Sequence, residues 1–242
     1  TLPSSAVIIG AGAVALEFAS LWNAAGCEVT LLIRKDRVLS TWERRASMTL
    51  TRELKRRGVN VIARTAVDRV DTGANLGATV HYRQGDSDED RTAYGEVVLA
   101  AIGRVPNTDA DWFRSSGLKL DERGYVTVDG YGRTNLDLVW ALRAIPPGQA
   151  LAHRAFEQGI TIAEKIAGAD PKPVLDDTVP QVVFSFPEAA SVGLTLDQAK
   201  AREDVVEPKE TAYPMLSNAR MLMSGEGGSM TVVSGAFADV AD

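Results

Sequence analysis

Cysteine is nearly missing from this 242-residue chain, with Cys27 as its single thiol. No internal disulfide can form, and a reducing compartment, the cytoplasm, is the simpler expectation. Aromatic residues make up only 6%, and no apolar run approaches the roughly 18 residues of a membrane span. No signal-peptide pattern opens the sequence. An excess of positive charge is also lacking. The 26 Lys and Arg against 32 Asp and Glu leave a net charge of -6, which argues against nucleic acid or an anionic membrane as the main partner. What is left, 45% apolar and 24% charged, is a globular balance in a chain long enough for one large domain or two smaller ones. Both ends read as cuts in a longer protein.

The stretch that organises the chain is Val7-Ile8-Ile9-Gly10-Ala11-Gly12-Ala13-Val14-Ala15-Leu16-Glu17. A short apolar strand enters a glycine turn and leaves it as a helix. The first glycine permits the tight turn, the second lets a pyrophosphate approach the backbone, and the small Ala15 lets helix and strand pack closely. The free N–H groups and positive dipole end of the helix then face the phosphates. Gly10, Ala11, Gly12, Ala13, Val14 and Ala15 are therefore candidate contacts to a nicotinamide dinucleotide.

A helix over 16–25, closed by Gly26, leads to an apolar strand over 28–33, so the first two strands form a parallel pair with a right-handed crossover. A carboxylate about 20 residues past the glycines would hold the ribose 2′-hydroxyl of NAD. Ile33 and Arg34 stand there instead, followed by Lys35, Asp36 and Arg37. An arginine can meet a 2′-phosphate through a forked, charge-assisted pair. The expected cofactor is NADP, with NAD as the alternative. Arg34 is the principal contact and Arg37 or Lys35 assists, unless the segment is only a solvated basic turn.

A second helix is expected over 43–57, then strands over 59–63, 66–70, 78–83 and 97–102, with an acidic loop over 84–90. That loop lacks the glycine and terminal glutamate of a calcium site, so no metal is expected. His81 alternates with Val80 and Tyr82 and reads as a surface residue. An amphipathic helix over 151–167 would present Ala152, Ala155, Phe156, Ile162, Ala163 and Ile166 as its apolar face. A linker over 171–180 precedes a strand over 181–185, a short helix over 196–201 and a strand over 230–233. Trp112 and Phe113 read as core or interface fillers. Met215, Met221, Met223 and Met230 read as fillers of core gaps.

The glycine turn, Ala101-Ile102-Gly103-Arg104-Val105-Pro106-Asn107-Thr108, residues 124–128, Arg133-Thr134-Asn135 and residues 179–195 occur in that order. Together they resemble the FAD-dependent pyridine nucleotide-disulfide oxidoreductases over nearly the whole chain. The glycine turn and the segment Leu32-Ile33-Arg34-Lys35-Asp36-Arg37-Val38-Leu39 are most similar to glutathione reductase, where a second phosphate-binding arginine would fall at Ser40. Ala150-Leu151-Ala152-His153-Arg154-Ala155 and residues 185–195 resemble dihydrolipoamide dehydrogenase.

The resemblance implies an α/β fold. A Rossmann-like NAD(P)-binding domain (1–108) precedes a returning segment of an FAD domain (109–176) and the start of an α+β interface domain (177–242), incomplete as the family builds it. It adds Val67 and Gly103 to the nucleotide site, and Ala144 with Ala150, Leu151, Ala152 and His153 to the flavin side. It also implies hydride transfer between NAD(P)H and FAD coupled to a disulfide, and a homodimer in the intact parent. The paired cysteines and the His–Glu pair of that chemistry are not in this chain, so no residue here is assigned a catalytic role. At the family's flavin-holding Gly-Asp stand Arg143 and Ala144. Glu17 occupies the place of a glutamate that forms an ion pair beside the flavin, or serves only as a polar helix residue. The reading is a fragment of a dihydrolipoamide dehydrogenase-like enzyme, with a non-catalytic nucleotide-binding module as the alternative.

Overall fold

The computed structural model describes residues 2–73, 77–225 and 227–237. Its first sheet is parallel, in the order β3-β2-β1-β7, from β1 (Ser5–Ile9), β2 (Glu28–Ile33), β3 (Asn60–Ala63) and β7 (Val97–Ala100). The central strands β1 and β2 are buried on both faces, which is why they read as near-continuous aliphatic runs. On one face lie α1 (Ala13–Ala24), burying Ala15, Leu16, Ala19 and Ser20, and α2 (Arg44–Arg56), burying Ser47, Leu50 and Leu54. The Glu43 carboxylate caps α2 by accepting from the N–H groups of Arg45 and Ala46. Lys55 and Arg56 complement the dipole at its other end.

The opposite face is covered by an antiparallel sheet of β4 (Thr65–Thr72), β5 (Ala78–Gln84) and β6 (Arg91–Gly95). Val7 and Leu32 pack there against Val80 and Tyr82. Strand β6 was not expected from the sequence. Thr92 and Tyr94 lie outward and only Ala93 packs inward, so its alternation carries little apolar signal. The acids of the preceding loop sit beside arginines: Arg91 holds Glu89 at 3.0 Å, and Arg83 lies 3.9 Å from Asp88. Ser4 donates to the Glu96 carboxylate through its N–H (2.8 Å) and its hydroxyl (2.7 Å), fixing the chain start beside β7.

The chain divides into two compact units, residues 1–103 with 181–242, and residues 104–180. In the first unit the later segment supplies β8 (Gln181–Val183), β9 (Ala189–Ser191), β10 (Val205–Pro214) and β11 (Ser229–Phe237) as two antiparallel pairs. The final five residues of the expected interface domain lie outside the described residues. Two of the methionines do not fill a core: Met223 is 88% and Met230 50% exposed, while Met215 and Met221 are partly buried.

In the second unit, α3 (Asp111–Ser115) buries Phe113 and leaves Trp112 exposed. Helix α4 (Ala152–Ile166) has the expected span, but of the expected apolar face only Ile162 is buried and Ala155 partly so. It buries Arg154, Thr161 and Ile162, while Phe156 is 73% and Ile166 60% exposed. The reason is a charge: Arg154 Nε donates to Asp176 at 2.6 Å, and its terminal nitrogens reach the carbonyls of Arg143 (3.4 Å) and Pro147 (3.2 Å). This fork turns the arginine side of the helix inward. Asp176 sits in a 3-10 turn (Asp176–Thr178), so the expected linker is an anchored segment.

Candidate functional site

The C-terminal edge of the parallel sheet is where an open α/β sheet binds ligands. Gly10 leaves β1 with φ +139°, and a Cβ built on it would stand 2.2 Å from the Ala101 carbonyl oxygen. Both its conformation and its neighbour require glycine. Its N–H donates to Leu32 O at 3.0 Å, and Ala101 N donates to Ile9 O at 2.8 Å. The turn is thus pinned between the strands on either side of β1.

Gly12 is different. Its backbone is extended (φ -90°, ψ -177°), and a Cβ there would meet no atom within 4 Å. It keeps open a space that protein atoms do not fill. Gly12 is also the N-cap of α1, with no side chain capping the helix and no acid in its first turn. The first intrahelical bond is Leu16 N to Gly12 O, so the N–H groups of Gly12, Ala13, Val14 and Ala15 face outward from the helix end without intrahelical partners. Ala15 is fully buried against the sheet. An uncapped dipole end, open space over a glycine and no acid in the helix's first turn fit a pyrophosphate.

The basic turn after β2 is attached to this element. Leu39 N donates to Ala11 O at 2.9 Å, with Leu39 at φ +44° and Val38 and Leu39 buried beneath. The Ser47 hydroxyl donates to Val38 O, tying the same turn to α2. Arg34 and Lys35 are exposed at the end of β2. Arg37 is held down: its guanidinium donates to Asp36 (3.0 Å) and to Ser40 O (3.2 Å), and its Nε is buried with no hydrogen-bond partner among the described residues.

Val67 packs partly buried against the cluster between the two sheets, just before an irregularity in the β4–β5 register. Gly103, at φ +130°, is exposed past the end of β7. The remaining residues expected on the flavin side belong to the second unit. Ala144 and Ala150 are exposed, and Leu151 is an N-cap whose side chain caps nothing. Ala152 and His153 are exposed in the first turn of α4, with His153 Nε2 2.8 Å from Pro180 O. Arg143 holds φ +72°, a left-handed conformation that suits glycine, and Ala144 offers no acceptor side chain. Positions 143 and 144 therefore do not fit the flavin contact expected of a Gly-Asp pair.

Other polar groups find structural partners. Glu17 accepts from Phe184 N at 3.0 Å and Ser20 from Phe186 N at 3.0 Å, so α1 docks the segment after β8. His81 is not a free surface residue: its Nε2 lies 2.9 Å from Asp71 and its Nδ1 3.1 Å from Arg69. Cys27 is buried, and burial first, then the charges of Glu96 and Glu28, push its thiol up, which keeps it protonated and inert. One basic residue at the sheet edge escaped the sequence reading. Arg64 follows β3 at φ +57° and donates its N–H to Lys35 O at 3.1 Å. Only the register of strands about thirty residues apart reveals it.

The family model for pyridine nucleotide-disulphide oxidoreductases matches residues 1–159. The chain is 37% identical over 226 residues to a dihydrolipoyl dehydrogenase of Geobacillus stearothermophilus, covering 91% of this chain and 46% of that protein. It is 32% identical over 225 residues to that of Zymomonas mobilis, covering 93% and 47%. It thus spans about half the length of the curated relatives it matches. The crystal structure of LpdA from Mycobacterium tuberculosis superposes with a TM-score of 0.85 at 28% identity, over 96% of this chain and 49% of that one. A flavoprotein disulfide reductase of Escherichia coli, at 24% identity and a TM-score of 0.82 over 97% of this chain and 52% of that one, shares the fold.

Proposed function

This chain belongs to the pyridine nucleotide-disulphide oxidoreductase family, and from that membership we propose that it is the nicotinamide-nucleotide-holding part of a flavin-dependent, dihydrolipoyl dehydrogenase-like oxidoreductase. The residues read as nucleotide contacts are Gly10 to Ala15, Val67 and Gly103, with Arg34 meeting a 2′-phosphate and Lys35 or Arg37 assisting. The preferred cofactor is NADP(H). One observation carries this choice: the Leu39–Ala11 bond seats the basic turn against the glycine turn, and Ile33 and Arg34 rather than a carboxylate stand at the end of β2, with Asp36 turned to Arg37. A carboxylate would select NAD by accepting from the 2′-hydroxyl and would repel a phosphate.

The chain's own groups bind and orient. The N–H groups at the start of α1 would take the pyrophosphate. The open space above Gly12 admits it, and the pinned turn holds these donors without reorganisation on binding. Residues 1–108 form the nucleotide domain in this reading, 109–176 the returning flavin-domain segment and 177–242 part of the interface domain. A cytoplasmic homodimer is proposed for the intact protein. Exposed apolar side chains on β10 and β11, among them Val206, Tyr213, Val232 and Phe237, support the dimer, and the buried lone Cys27 accords with a reducing compartment.

A second reading, a nucleotide-binding module without redox turnover, is favoured by Arg143 and Ala144 alone. Equilibrium titration with NADPH and NADH, followed by nucleotide fluorescence, tests the site. NADPH is expected to bind about tenfold tighter, the scale of one charge-assisted hydrogen bond. Arg34→Glu should abolish or reverse that preference. Equal affinities would make the basic turn a solvated one.

A further inference from the structure

We propose that Arg64 is a specificity-determining residue of the nucleotide site, forming with Arg34 and Lys35 a basic rim across the ends of β2 and β3 that meets the 2′-phosphate. This inference rests on the NADP(H) reading of the same site. Strands β2 and β3 are parallel, with Ile33 paired to Ala63, so Arg34 and Arg64 are the next residues on neighbouring strands. Neighbouring strands lie about 4.8 Å apart. Arg64 N donates to Lys35 O at 3.1 Å, which fixes the two basic segments to each other.

The backbone of Arg64 is strained and locked. Its φ of +57° is left-handed, and the residue is neither glycine nor asparagine. Gly85 N donates to Arg64 O at 2.8 Å, and Gln84 Nε2 to Ala63 O at 3.2 Å. Three hydrogen bonds thus hold the turn in a shape that glycine would adopt at lower cost. Nothing in the fold repays the arginine: it is exposed, and its side chain makes no hydrogen bond or ion pair among the described residues. Exposed Arg34 and Lys35 are likewise without such partners among the described residues. The acids within four residues of either turn are committed elsewhere, Asp36 to Arg37 (3.0 Å) and Asp68 to Arg83 (3.0 Å). Three unneutralised cations at one sheet edge, one of them kept at the expense of backbone strain, are a site built for a dianionic group.

The test uses the full chain with NADPH and NADH as probes, comparing Arg64→Gly, Arg64→Gln and Arg34→Gln with the parent, and adds thermal unfolding of each. Arg64→Gly relieves the left-handed strain while deleting the charge. It is expected to melt higher and yet bind NADPH about three- to tenfold more weakly, with NADH affinity unchanged within about twofold. Arg64→Gln should show the same selective loss without the gain in melting temperature. A structural role would move stability and affinity together and weaken both nucleotides alike, and that outcome overturns the proposal. An unchanged NADPH-to-NADH ratio in both Arg64 variants, with the ratio lost in Arg34→Gln, overturns the role of Arg64 and leaves the NADP(H) reading intact. Equal affinities in the parent chain overturn both.

Discussion

Gly10 and Ala101 approach so closely that a methyl on the glycine would sit 2.2 Å from the alanine's carbonyl oxygen and 2.8 Å from its carbonyl carbon. Both obstacles are backbone atoms of a strand exit already bonded to Ile9 O, so neither can turn aside as a side chain could. Gly10→Ala must open the β1–β7 edge and also accept φ +139°. The expected cost is about 2–3 kcal/mol, read as a lowered urea midpoint with unchanged slope. Gly12→Ala meets no protein atom, so it should leave stability nearly intact and weaken nucleotide binding instead.

Arg154 is the centre of the second unit. Arg154→Met removes the donor to Asp176 and to two carbonyls at once, in a place only 6% exposed. The expected loss is about 3 kcal/mol, since breaking a buried ion pair strands its partners. Asp176→Asn should cost less, because Asp176 keeps 46% of its side chain in solvent. Hydrogen exchange along α4, compared between the two variants, reads the difference.

Arg143 offers the opposite experiment. At φ +72° it pays for a left-handed backbone that Gln158 Oε1 fixes by accepting from its N–H at 2.9 Å. Arg143→Gly should stabilise the chain by about 0.5–1 kcal/mol, the left-handed penalty less the entropy that glycine gives back. Arg143→Ala should not. A pair of thermal melts decides it.

Acid should loosen the chain start. Two hydrogen bonds from Ser4, the backbone one first, hold the Glu96 carboxyl below its ordinary range. A carboxyl lowered in the folded state contributes stability that is present above its unfolded pKa and is lost as pH falls through the lower folded one. Exchange protection at Ser4 should therefore fall on acidification below the ordinary glutamate range. In Glu96→Gln the same protection should be lower already at neutral pH and lose that acid step.

The first half of the fold was legible because its signals are local. The Val7 to Ile9 run, the glycines and the strand from Glu28 to Ile33 each satisfy a rule within a few residues. Tertiary context set the rest. In α4 the aliphatic spacing pointed Phe156 and Ile166 inward, but the Arg154 fork to Asp176 decided the face. Strand β6 was hidden by its outward Thr92 and Tyr94, and His81 gained its partners only when Asp71 and Arg69 came alongside on β4. Within the site, the exposed Arg34 and the glycine turn could be read from spacing. The anchoring of Arg37 by Asp36 and Ser40, and the approach of Arg64 to Lys35, needed the folded backbone.

The single bond from Leu39 N to Ala11 O has a further consequence. It closes residues 34–37 into a short insert clamped at both ends, by the sheet at Ile33 and by the buried Val38 and Leu39. None of the four side chains within it belongs to the buried cluster beneath. The exposed side chains at 34, 35 and 36 can therefore change while the scaffold keeps its shape, whereas Arg37 is anchored. In the NADP(H) reading, a lineage built on this scaffold would change its nucleotide at these positions and at Arg64 beside them, leaving the sheet untouched.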